Sequence, residues 1–115
     1  MSDMKSKALP EGVSEEEVAK LVRKHGQVYP LTVRRDKASY TGLFRKPTLA
    51  DMSAAASVGT DNPMAAGELL YNSCKLAVDP AMDNDDEVKV AAINGVGKLF
   101  RILEAEVGEP FGGGQ

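Results

Sequence analysis

The stretch YPLTVRRDKASYTGLFRKPT, residues 29–48, decides the architecture of this chain. Tyr29, Leu31 and Val33 alternate with Val28, Pro30, Thr32 and Arg34, the two-residue period of a strand. RDKAS breaks the pattern as a turn, and YTGLFRK returns as a strand of aromatic and β-branched residues. The pair predicts a β-hairpin over residues 27–46. Pro30 cannot donate to a ladder, so its strand lies at a sheet edge or begins at the proline. Two strands alone are marginal in water. Helices must therefore cover one face, or another chain must extend the sheet. Pro47 ends the hairpin, and Thr48 caps a helix with Asp51 three residues on, where its charge favours the helix dipole.

Working outward, VSEEEVAKLVRKHG predicts a short helix over residues 14–25. Ser14 and Glu17 form a capping box, and Val13 and Val18 stand where a hydrophobic staple would. Acidic residues fill its first turn and basic ones its last, and Gly26 stops it. Its apolar face is thin: Val18, Leu21 and Val22. Beyond the hairpin, LADMSAAASV reads as a small-sided helix with Leu49, Met52 and Ala56 on one face, ended by Gly59. Asn62 and Pro63 start the next helix, in which Ala66, Leu69, Leu70, Ser73, Cys74 and Ala77 recur at helical spacing. VDPAMDND reads as a loop. Asn84 or Asp85 then caps a last helix from about residue 86 to 107. Its stripe is Val88, Ala91, Ala92, Gly95, Val96, Leu99, Ile102 and Leu103. Gly108 and Pro110 stop it.

The expected order is α-β-β-α-α-α, an α+β fold. Residues 1–13 and 108–115 read as flexible tails. Residues 14–107 form a single domain, with the hairpin at 27–46 carried on a helical body at 48–107. The 115 residues suit one domain. With no tryptophan and 5% aromatics, the core must be mainly Val, Leu, Ile, Met and Ala. A single cysteine cannot form an internal disulfide, which fits a reducing compartment. No apolar run reaches the ~18 residues of a membrane span, and MSDMKSKALPEG lacks the apolar middle of a signal peptide. A cytoplasmic protein away from membranes is expected.

Net charge is −3, unevenly placed. Residues 1–47 hold ten Lys/Arg and six Asp/Glu, while residues 48–115 hold four and eleven. This polarity favours head-to-tail association or partner steering, although two solvated faces are the plainer reading.

Candidate chemistry is sparse. His25 and Cys74 are the lone imidazole and thiol. Each has a plainer role, His25 in a basic last turn and Cys74 on a core face. Two such residues cannot make a zinc site without help. The acidic run from Asp79 to Glu87 lacks the glycine and spacing of a calcium loop. GVGKLF follows a helix and has Leu99 where a phosphate-binding loop needs Ser or Thr. Gly95 and Gly97 instead point to close packing, with another helix crossing there. No catalytic residue, metal ligand or cofactor is expected, and the protein reads as a non-enzyme. The best polar feature is the basic hairpin, with Arg34, Arg35, Lys37, Arg45 and Lys46. On an acidic chain with no stacking aromatic run, it points to a protein partner or sister subunit more than to nucleic acid.

The segment from Leu31 to Ala92 resembles small phage tail assembly chaperones and related prophage proteins. The shared pattern runs from Phe44-Arg45-Lys46-Pro47 through LADMSAAAS and Asp61-Asn62-Pro63 to Leu69–Cys74, an acidic loop and a final helix, within residues 28–103. The helix at 14–25 lies outside it. The resemblance implies a non-enzymatic chaperone in the host cytoplasm that keeps the tape-measure protein soluble during tail assembly. The expected partner surface is Tyr29, Leu31, Val33, Arg34, Arg35, Leu43, Phe44 and Arg45. Homo-oligomerisation is compatible with it. The other readings are a structural phage subunit (tail-completion or head-to-tail connector) and a nucleic-acid-binding regulator that uses the basic hairpin.

Overall fold

The computed structural model describes residues 9–99 and 105–112. The chain is α+β, in the order α1 (Glu15–His25), β1 (Tyr29–Arg35), β2 (Ala38–Phe44), α2 (Leu49–Gly59), α3 (Pro63–Cys74), β3 (Lys75–Val78), α4 (Pro80–Asn84) and α5 (Asp86–Gly97). The sheet is antiparallel in the order β1-β2-β3. No helix among the described residues is long and apolar enough to cross a membrane.

The hairpin forms as its pattern dictates. Tyr29 pairs with Phe44 at its open end and Arg35 with Ala38 at its tip. Asp36 takes the tight turn with φ 56°, which aspartate tolerates better than most residues. The caps also follow the sequence. Ser14 and Glu17 close a capping box on α1, and Thr48 and Asp51 close a complete one on α2. Asn62 accepts from the Ala65 amide, and Asp85 from those of Glu87 and Val88.

Four expectations are corrected. Lys75–Val78 is a strand, because Gly42 and Leu43 of β2 offer Val78 and Ala77 a ladder partner. The acidic loop contains the short helix α4, which starts at Pro80 and buries Met82. The last helix ends at Gly97. Its final amides, Lys98 and Leu99, bond three residues back to Gly95 and Val96, the tightened turn of a helix terminus. Residues 105–107 are not helical, and Ile102 and Leu103 lie outside the described residues. On α2, Leu49, Met52 and Ala56 are exposed and Ala55 is the buried residue, because small residues lie between α2 and α3. A Cβ on Gly59 would stand 3.1 Å from that of Ala66.

The core joins Phe44 of β2 with Tyr71 and Cys74 of α3, Met82 of α4, and Val88, Ala92, Ile93 and Val96 of α5. The Phe44 and Tyr71 rings lie 5.5 Å apart, tilted by 56°. Helices α3, α4 and α5 thus cover one face of the sheet, which resolves the marginal stability of a bare hairpin.

Ahead of α1 the chain is attached, unlike the flexible tail expected up to residue 13. Pro10 is buried, and the Glu11 amide donates to Asp79 Oδ1. Asp79 also accepts from the Thr41 amide at 2.7 Å through Oδ2, and its own amide donates to Thr41 O at 2.9 Å. Residues 1–8 and 113–115 of the expected tails lie outside the described residues.

Candidate partner-binding surface

Among the described residues β1 is paired on one side only, so its outer edge offers backbone groups. The phase of that edge follows from the tip. A two-residue turn is closed by a hydrogen-bonded pair, here Arg35 with Ala38, and such pairs alternate with non-bonded ones along the ladder. The backbones of Arg34, Thr32 and Pro30 therefore face outward. The opposite strand agrees, since Thr41, across from Thr32, spends its backbone N–H and C=O on Asp79 and not on β1. Pro30 sits where its missing N–H costs the sheet nothing.

Beside this edge runs a groove of about 450 Å³ between β1 and α5. Leu31, Val33, Ala91, Gly95 and Leu99 supply its apolar surface, with Arg34 and Lys98 among its polar lining. Gly95 lets the two elements approach, because a Cβ there would fall 2.7 Å from Leu31 Cδ1. The expectation of a helix crossing at this glycine is corrected to a strand. A Cβ at Gly97 would meet nothing within 4 Å, so no element among the described residues crosses closely there.

The expected partner residues divide into three groups. Leu31, Val33 and Arg34 lie together in the groove, and Tyr29 stands half-buried at the open end of β1. Leu43 and Phe44 are interior, at 2% and 0% exposure, and offer a partner no surface. Strand β3 and the helices cover them, which a hairpin read in isolation could not reveal.

Arg35 and Arg45 serve inside the chain. Arg35 reaches Asp85 and Glu87, each at 2.9 Å, and lies over the Tyr40 ring. These hydrogen bonds raise Arg35 and depress Asp85 from their ordinary pKa values. Arg45 bonds Asp51 Oδ2 at 2.8 Å and Ser73 O at 2.7 Å, while its amide donates to Cys74 O. The Asp51 carboxyl, bonded by Arg45 and by the Thr48 amide, is held at about 2, well below its usual 3.8. The basic hairpin therefore keeps three exposed cations, Arg34, Lys37 and Lys46.

Cys74 is fully buried, and that burial pushes its thiol pKa up. The described hydrogen bonds include none between Cys74 and His25. Sequence reasoning missed Tyr71, whose hydroxyl donates to Asp83 at 3.0 Å while Lys75 and Lys89 lie near its ring face. Its spacing from Cys74, three residues on a helix, was the available signal.

No family model matches the chain, and no curated protein does. The fold is similar to the solved structure of an uncharacterised protein from Bacillus stearothermophilus. That likeness covers 82% of this chain and 98% of the other, with a TM-score of 0.55 and 21% identity. At this identity the two share a fold.

Proposed function

We propose that this protein is a non-enzymatic phage or prophage tail assembly chaperone that binds the tape-measure protein during tail morphogenesis. The observation that carries the reading is the free β1 edge beside an apolar groove. The outward Thr32 and Arg34 backbones hold an extended segment by strand addition, and Leu31, Val33 and Leu99 receive its apolar side chains. The sequence pattern from Phe44 to Cys74 supports the same family. Co-expression with the tape-measure chain encoded nearby tests it: the pair should co-purify, and Ala91→Arg, an exposed α5 position in the groove, should abolish capture while the fold survives. A tape-measure chain that stays insoluble and unbound would sink the proposal. So would a gene placed far from tail-tube genes.

The same free edge favours one second reading, a structural virion subunit whose β1 pairs with a neighbouring subunit. Mass spectrometry of purified particles separates the two, since a structural subunit stays in the particle.

A further inference from the structure

The other end of the hairpin holds a separate concavity. The last turn of α1 and the β2–α2 junction enclose about 470 Å³, lined by Lys24, His25, Gln27, Arg45, Lys46 and Thr48. Four of these six are basic and none is acidic. They come from two segments some twenty positions apart in sequence, brought together by the fold. Lys24, His25 and Lys46 make no ion pair among the described residues. The Asp51 carboxylate beside Arg45 is already occupied by that guanidinium and the Thr48 amide. At the start of α2 the capping box takes the Thr48 and Asp51 amides. The α1 C-terminus presents carbonyls, which disfavour an anion, although the Gly26 amide satisfies that of Val22. A ligand here is held by side-chain cations, with the Gln27 amide and Thr48 hydroxyl as neutral donors.

We infer that this pocket binds the carboxylates of an acidic peptide segment. Its size suits one or two side chains and not an extended backbone. A nucleic acid needs a continuous basic track, and the hairpin does not provide one. The remaining exposed hairpin cations, Arg34 and Lys37, lie at the far end of seven-residue strands, about 20 Å away at 3.3 Å per residue. Arg35, beside them, is neutralised by Asp85 and Glu87. This site does not depend on the tape-measure reading, because it lies away from the β1 groove and shares none of its residues.

His25 is the chain's one histidine, so its imidazole gives one Hε1 resonance to follow by NMR. The probe is a tetraglutamate peptide, added stepwise at low salt and constant pH. Bound carboxylates should move the His25 resonance along a saturable, one-site curve as peptide is added. Lys24→Ala/Lys46→Ala, both exposed positions, should keep the fold and lose the response. Arg34→Ala/Lys37→Ala should respond as the parent does. The inference is overturned if millimolar tetraglutamate leaves the His25 resonance unmoved, or if the Lys24/Lys46 variant responds fully. A thymidine oligonucleotide that shifts His25 more strongly at equal charge concentration would overturn it as well.

Discussion

Replacing Asp51 with Asn tests the junction that carries the hairpin on its helical body. Asparagine keeps a side-chain oxygen for the Thr48 amide and removes the charge that Arg45 grips. The carboxyl is lowered from 3.8 to about 2. At 1.36 kcal/mol per unit that is about 2 kcal/mol at neutral pH. The Arg45 and Asp51 side chains are 23% and 15% exposed, so solvent screens part of it and about 1–2 kcal/mol is expected. For a domain this size the loss lowers Tm by roughly 4–8 °C. The sign fixes the pH window. A depressed carboxyl stabilises the fold above its unfolded value near 3.8, and that advantage fades as pH falls through 2. Urea unfolding at pH 7, 4, 3 and 2 should therefore show parent and Asp51→Asn differing most at pH 7 and converging by pH 2. Arg45→Met alone should cost a similar amount, and the double variant little more. Parallel pH profiles, or a coupling energy below about 0.5 kcal/mol, would refute the ion pair as the source of stability.

Gly42→Ala should destabilise by about 1–3 kcal/mol in denaturant melts, because its Cβ would lie 2.8 Å from Met82, Phe44 and Val78 side chains. Gly97→Ala, with open space around it, should stabilise by about 0.5 kcal/mol in the same assay. Burial, then the Asp83 bond, lifts the Tyr71 phenol far above its usual 10. A raised group stabilises the fold below its unfolded value, so stability should fall as pH climbs past 10, and ultraviolet titration should show Tyr71 ionising only on unfolding. Cys74 should resist a thiol reagent such as dithiobis-nitrobenzoate in the native state and react once urea unfolds the chain.

Local signals were legible where one short segment determines the outcome. The hairpin shows as alternation, and the starts of α1, α2, α3 and α5 as capping side chains. What escaped depends on distant partners. Lys75–Val78 is only four residues long, and Cys74 and Ala77 also fit helical spacing, so only the β2 ladder decides its state. Leu43 and Phe44 have the chemistry of a sticky surface, and β3 and the helices turn them into core. Arg35 and Arg45 looked like free cations because Asp85 and Asp51 reach them through the fold and not through sequence proximity alone. The Leu31 and Val33 part of the candidate surface was readable because a sheet edge is already marked by Pro30.

Asp79 has a consequence for how α1 is carried. Helix α1 buries none of its own residues, so its position depends on what holds its two ends. Its leading end is moored through Glu11 to Asp79, and its trailing end runs directly into β1. Cutting the first mooring turns a helix suspended at both ends into a cantilever. The Lys24 and His25 wall of the basic pocket sits at the root of that cantilever and turns with the arm, while the sheet and core stand unchanged. An affinity tag or cleavage ahead of Ser14 is thus not a neutral manipulation for this protein, and binding measurements at that pocket need the native leading segment in place.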